Sequence, residues 1–268
     1  RWVLTVKRDK EGVFQKTKAR WVLRGFQDRQ KDTQQTDSPT TTRPGFRLTC
    51  QMVANNQWDF HHIDLKTAFL QGVEFDNVRD VVCQLPPECG HPPYIGARLK
   101  RPAYGLNDAP RRWWIRLDSS VLKMGFQPTR ADRCCYVMYK DQAKNSYQEQ
   151  AHLTRERPQT EAERLAAVLG SRLDTTDMLD RVTDYLLDPV TGSNAKGKQV
   201  IGVLCIHVDD LFFTGTKECC KQLENSLSKE FQIGSLDTND VMFTGQRVRW
   251  KDKVLEVDQT RCIDCLLY

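Results

Sequence analysis

Apolar positions recur along this chain in two periods, one close to 2 residues and one close to 3.6. From Trp2 to Phe26, short apolar clusters (Val3 and Val6, Val13 and Phe14, then Trp21, Val22 and Leu23) flank the turn-like KRDKEG, a pattern that predicts a β-hairpin. The polar stretch QDRQKDTQQTDSPTTTRPG reads as a loop. Phe46, Met52 and Val53 mark a helix over Phe46 to Ala54, closed by NNQ. WDFHHIDL then alternates, placing Trp58, Phe60, His62 and Asp64 on one face of a strand.

The Pro-rich QLPPECGHPPYIG predicts a loop, because proline cannot serve a central ladder. Asp108 to Met124 fits a helix with Pro110 in its first turn, an apolar face of Trp114, Leu117, Val121 and Leu122, and Gly125 as its stop. CCYVMYK is a short strand. Residues 141–199 change character: they are polar and charged, with a capping-box pattern at Thr160 to Glu163 and a second helical run from Met178 to Leu187 before Asp188-Pro189. This reads as an insertion. Val200 to Ile206 is a strong strand, Leu211 to Phe213 begins its return, and Leu223, Leu227 and Phe231 mark a helix ending at Gly234. VMFTGQRVRW and KVLEVD are further strand-like runs, and no internal repeat is evident.

The 268 residues, 39% of them hydrophobic, suffice for one large domain or two small ones with a real core. The sequence opens at Arg1 without an initiator Met, a leader pattern or an apolar run of membrane length, so it reads as a piece of a longer intracellular chain with neither signal peptide nor membrane span. Ten cysteines include the adjacent pairs Cys134-Cys135 and Cys219-Cys220 and one CxxC at Cys262 to Cys265. A zinc site would need a second pair at suitable spacing, so these read as reduced thiols. Net charge is +5, unevenly spread: residues 1–31 carry ten Lys/Arg against three Asp/Glu, and residues 100–133 carry eight against three. Two basic segments on an otherwise acidic chain suit a polyanion partner, and equally suit a solvated surface.

Against that background GVLCIHVDDLFFTG places two adjacent carboxylates, Asp209 and Asp210, in an apolar run. On a continuous strand one of them would face the core at a cost of several kcal/mol. A hairpin turn removes the conflict and lets both converge on a divalent cation, with an exposed Asp-rich tip as the plain alternative. Magnesium is the expected ion, since it is hard and is commonly held by one or two carboxylates plus substrate phosphates. A phosphoryl-transfer site with two ions about 3.5–4 Å apart needs a further carboxylate at the end of a neighbouring strand. Asp64 meets that requirement, closing its strand before KTAFLQG turns away.

The ordered blocks KARWVLRGFQ (Lys18 to Gln27), DSP (Asp37 to Pro39), DLKTAFLQG (Asp64 to Gly72), AYGLNDAPRRWW (Ala103 to Trp114) and HVDDLFFTG (His207 to Gly215) closely resemble the reverse transcriptase of copia-type LTR retrotransposons. The resemblance covers nearly all of the chain outside residues 141–199. It implies an α+β, right-hand polymerase, with an antiparallel sheet carrying the acidic residues and helices packed on one face. In that scheme residues 1–56 and 82–130 are mainly fingers, residues 57–81, 131–140 and 200–258 mainly palm, 141–199 the insertion and 259–268 the start of the thumb. It implies RNA-directed DNA synthesis with two Mg2+ ions (Mn2+ a possible substitute), a primed RNA or DNA template and dNTPs as partners, and no membrane. Ribonuclease H and integrase regions are implied in a parent polyprotein, located in a cytoplasmic virus-like particle or the nucleus.

Residue by residue, Asp64, Asp209 and Asp210 match the family's metal-binding carboxylates. Lys18 and Arg20 match the fingers block that contacts the incoming triphosphate, where a guanidinium fork is suited to phosphate oxygens. Phe69 matches the aromatic gate that leaves no room for a 2′-hydroxyl, and Tyr104 and Gly105 the block supporting the nascent base pair and template. On their residues alone Phe69 could be a core anchor and Lys18 and Arg20 a solvated strand face. His61 and His62 read as strand-face histidines rather than ligands, and Trp113 and Trp114 as base-stacking or core groups. His207 stands where the family has Tyr, Asn107 where it often has Lys, and the 141–199 segment is longer than the family's. These departures keep a second reading open, a catalytically inactive nucleic-acid-binding remnant. An aspartic protease would need Asp-Thr-Gly or Asp-Ser-Gly, and neither occurs.

Overall fold

In chain order the strands are β1 (Trp2–Arg8), β2 (Phe14–Trp21), β3 (Phe60–Leu65), β4 (Val82–Gln84), β5 (Gly96–Arg98), β6 (Gln127–Pro128), β7 (Cys135–Tyr139), β8 (Val200–His207), β9 (Asp210–Gly215), β10 (Ile233–Thr238), β11 (Asp240–Phe243), β12 (Gln246–Lys251) and β13 (Val254–Asp258). The α-helices are α1 (Arg43–Asn56), α2 (Ala109–Lys123) and α3 (Lys217–Glu230). This is a computed structural model, and it describes residues 1–8, 13–92, 94–140 and 199–259. The helices expected at 160–170 and 178–187, the Cys262–Cys265 pair and nearly all of the expected thumb start lie outside the described residues. Among the described residues no helix is long and apolar enough to cross a membrane.

The chain divides into two units, one of Arg1–Pro39 with Thr67–Asp118 and one of Thr40–Lys66 with Ser119–Tyr268. The unit boundaries differ from the expected fingers and palm boundaries in three places: residues 40–56 and 119–130 fall in the second unit, and residues 67–81 in the first. Helix α1 belongs to the second unit because its apolar face, Phe46, Cys50 and Val53, is buried among β-strand residues there. Residues 67–81 belong to the first unit because Phe69, Phe75 and Val81 pack with Leu106 and Ala109.

In the first unit β1 and β2 form an antiparallel hairpin, with Trp2 opposite Trp21 and Thr5 opposite Lys18. Strands β4 and β5 form a second hairpin around the Pro-rich loop. Arg79 ties three separate stretches of this unit together. Its guanidinium donates to Asp108 at 3.1 and 3.2 Å, to the Gln30 side chain at 3.2 Å and to both carboxylate oxygens of Asp28. Arg112 adds a 2.8 Å bond to Asp108, and both guanidiniums lie over the Phe75 ring. All three charged members of the Arg79 cluster are buried, with side-chain exposures of 2, 8 and 2% for Arg79, Asp28 and Asp108. Burial of this kind is tolerable only because each carboxylate is paired and hydrogen-bonded.

The second unit is built on a six-stranded antiparallel sheet in the order β10-β3-β9-β8-β7-β6, with β11-β12-β13 as a separate three-stranded sheet. Helix α1 starts at Thr42, whose hydroxyl accepts from Gly45 N–H, and Asp132 accepts from the Thr41 and Thr42 hydroxyls and from Thr42 N–H at 2.6 Å. On one sheet face Phe46, Phe60, Phe212 and Phe243 interlock at centroid distances of 5.0–5.6 Å. Each contributes about 1.5–3 kcal/mol by burial. The opposite face carries α3: Cys219 Sγ lies 3.7 Å from Met138 Sδ, and His61 on that face meets Glu224 at 3.1 Å.

Two sequence expectations are corrected here. Helices cover both faces of the sheet rather than one, as the burial of β7 at five successive positions requires. Helix α3 ends at Phe231, which is extended and buried, instead of continuing to Gly234. The chain then becomes β10, the edge strand beside β3.

The hydrogen bond from Arg79 holds the Asp28 carboxyl below the ordinary carboxylate range, against the opposing pull of burial. That contribution to stability is complete above the pKa of an unfolded Asp, about 3.9, and is lost as pH falls through the lower folded value. Arg79→Met should therefore cost about 3–5 kcal/mol in urea denaturation at neutral pH, because buried Asp28 loses its charged partner and Asp108 is left with Arg112 alone. The variant's stability should also fall less steeply than the wild type's below about pH 4.

Candidate active site

The β8–β9 hairpin closes through a two-residue turn, Val208 and Asp209, since His207 and Asp210 are paired across it. Val208 has φ 59°, and Asp209 is not among the positive-φ residues. A β-branched residue in that region costs on the order of 1–3 kcal/mol, strain of the sort that collects at functional sites. A continuous strand would have sent the two aspartates to opposite faces; the turn leaves Asp210 as the first residue of β9 and Asp209 at the tip.

Strand β3 lies beside β9 with Asp64 opposite Asp210. Leu65 N–H donates to Asp209 O at 2.9 Å, which makes Asp64 and Asp210 a non-hydrogen-bonded pair, the closer of the two antiparallel spacings, with Cα atoms about 4.5 Å apart. Like charges directly opposite are destabilising unless something offsets them. Asp210 is held by His62, whose Nε2 lies 3.0 Å from its Oδ1; His62 Nδ1 is 3.9 Å from the Asp237 carboxylate. On the far side of β3 the ladder to β10 slips between Ile233 and Ser235, and the Asp64 carboxylate lies against the Gly234 backbone. A methyl group on Gly234 would meet Asp64 Oδ2 at 2.4 Å. The bulge thus makes room for that carboxylate, a familiar use of bulges beside functional sites.

The three aspartates predicted from sequence therefore occupy neighbouring backbone positions at one corner of the sheet. Among the described residues, however, no three His, Cys, Asp or Glu side chains are gathered into a ready metal cage. Asp210 is turned toward His62, and Asp64 lies over Gly234. The donor chemistry nonetheless suits Mg2+, which needs only one or two protein carboxylates and fills its other positions with water and phosphate oxygens.

Lys18, Arg20, Phe69, Tyr104 and Gly105 belong to the first unit. Lys18 and Arg20 share a face of β2 with Lys16, and Lys18 is exposed. Arg20 lies 5.8 Å from the centroid of the Tyr104 ring, and that ring meets Phe69 at 5.6 Å, so three of the five form one cluster. Phe69 is only partly buried and packs beside Val81, Leu106 and Ala109. Gly105 has φ +93°, and a Cβ there would lie 2.2 Å from Leu23 O, so glycine is required by both conformation and space. Trp113 and Trp114 are 1 and 9% exposed and belong to the core rather than to a stacking surface.

Sequence reasoning missed two participants. The alternation of WDFHHIDL placed His62 on the face of Asp64, but its acceptor lies on another strand. Gly234 looked like a helix stop.

A family model described as reverse transcriptase (RNA-dependent DNA polymerase) matches residues 1–146, more than half of the chain. The match includes Lys18, Arg20, Asp64, Phe69, Tyr104 and Gly105 and ends before Asp209. Among curated proteins the chain is similar to the retrovirus-related Pol polyproteins from transposons RE1 and RE2 of Arabidopsis thaliana, each 31% identical over 144 residues. It is also similar to that from transposon TNT 1-94 of Nicotiana tabacum, 28% identical over 139 residues. These alignments cover 51–52% of this chain but 10% of each relative's length.

Gly234→Ala tests the bulge. It should destabilise the protein by about 1–3 kcal/mol in chemical denaturation, because the methyl must displace either the Asp64 carboxylate or the backbone beneath it.

Proposed function

Because this chain belongs to the reverse transcriptase (RNA-dependent DNA polymerase) family, we propose that it carries the fingers and palm of a retrotransposon RNA-directed DNA polymerase. The reaction is addition of deoxynucleotides to a primer 3′-hydroxyl along an RNA or DNA template. The observation that supports this most directly is Asp64 facing Asp210 in a close, non-hydrogen-bonded pair, with Asp209 at the adjoining turn. A chain gains nothing in stability from opposing two carboxylates; a divalent cation turns the arrangement into a binding site.

Asp64 and Asp209 would hold Mg2+, with Asp210 in support. When bound, a pair of such ions lowers the pKa of the attacking hydroxyl and neutralises charge on the leaving pyrophosphate. The chain's own residues bind and orient. Lys18 and Arg20 offer cations to the triphosphate, and Lys16 extends that basic face toward a nucleic-acid backbone. Phe69, whose ring packs against Tyr104, would exclude a 2′-hydroxyl. Tyr104 and Gly105 form the surface for the nascent base pair, where the absence of a Cβ lets backbone come close.

A second reading, a nucleic-acid-binding remnant without catalysis, is favoured by one observation: no ready metal cage is present among the described residues. Primer extension on oligo(dT)-primed poly(rA) with dTTP separates the two. The polymerase reading requires incorporation by the wild type and a loss of at least ~100-fold in both Asp64→Asn and Asp209→Asn, with circular dichroism unchanged. Salt-dependent binding of primed template with no incorporation at any Mg2+ or Mn2+ concentration would establish the remnant.

A further inference from the structure

We propose that His62 is a positioning residue for Asp210, fixing that carboxylate so that the Asp64–Asp210 pair presents a constant set of oxygens to a divalent cation. The inference rests on the polymerase reading above and adds to it a residue outside the acidic triad.

Four observations carry it. His62 and Asp64 are two apart on β3 and share a face, so His62 lies diagonally across from Asp210 and its ring reaches Oδ1 at 3.0 Å. A carboxylate only accepts, so Nε2 carries the hydrogen and Oδ1 is committed to it. The imidazole itself is not free to follow a moving partner. It is 7% exposed, sits opposite Phe212 in the register and meets the buried Phe243 ring edge-on at 6.3 Å. Finally, the Asp210 side chain is 38% exposed, enough for water to solvate it; what His62 adds is direction rather than solvation. Without that bond the repulsion from Asp64 would turn Asp210 outward, away from a shared ion. Ligand carboxylates are commonly oriented by such partners, and their removal typically costs 10–100-fold in metal affinity or activity.

The test uses the full chain and Mn2+ as probe, titrated calorimetrically in the absence of nucleic acid, alongside the Mg2+ dependence of primer extension. His62→Leu removes the donor. His62→Gln restores it, since a glutamine amide nitrogen reaches about as far as Nε2. His62→Leu should weaken Mn2+ binding by ~10-fold or more and shift the Mg2+ midpoint of extension upward by a similar factor, with His62→Gln within ~3-fold of wild type. Should His62→Leu fail to fold, His62→Asn carries the same expectation, because its shorter amide stops at the position of Nδ1. A donorless variant that binds Mn2+ as tightly as wild type, even with a lower melting temperature, overturns the assignment and leaves His62 a packing residue. Failure of the underlying reading looks different: wild type and Asp64→Asn would then bind Mn2+ equally, or neither would bind it.

Discussion

The opposition of Asp64 and Asp210 across two antiparallel strands is the constraint from which the rest of the second unit follows. Two carboxylates in a non-hydrogen-bonded pair are as close as a ladder allows, and they repel. The fold holds them there by burying what lies behind them. Phe60 and Phe212 stack at 5.6 Å on the same face, and Ile63 and Leu211 are fully buried on the other. A slip of one residue between β3 and β9 would turn all of these to the wrong side, so core burial fixes the register and the register fixes the carboxylates.

Local departures from regularity cluster around that pair. Val208 is held at positive φ in the hairpin turn, and the β10 ladder slips at Gly234, where the Asp64 carboxylate needs space. Each is a small cost placed where an acidic side chain is aimed. His62 belongs with them as a buried polar group whose bond crosses from β3 to β9. The first unit solves a different problem by a related means. Its small apolar cluster is supplemented by the buried Arg79 cluster, which joins residues 28–30, 76–79 and 108 and so steadies the segment that leads from Gly105 into α2.

The family relationship and the geometry bear on different parts of the chain. The family match covers residues 1–146 and thus Asp64 but not the acidic turn. It is the β3–β9 pairing that brings Asp209 and Asp210 to Asp64.

Much of the fold was legible in the sequence because its signals are local. Alternation in WDFHHIDL gave β3, the apolar run from Val200 to Ile206 gave β8, Pro110 and Gly125 bracketed α2, and a VDD in an apolar run demanded a turn. The pairing of Asp64 with the acidic turn came from chemistry and resemblance. Other features depended on distant segments. That helices lie on both faces of the sheet, that Gly234 serves a bulge rather than a helix end, and that α1 belongs with the second unit were decided by which surfaces remained to be covered. Strand period determines which side chains share a face; it does not determine which residue of another strand stands opposite. That is why His62 could be placed beside Asp64 from sequence alone, while its bond to Asp210 was decided by the register that core burial imposes.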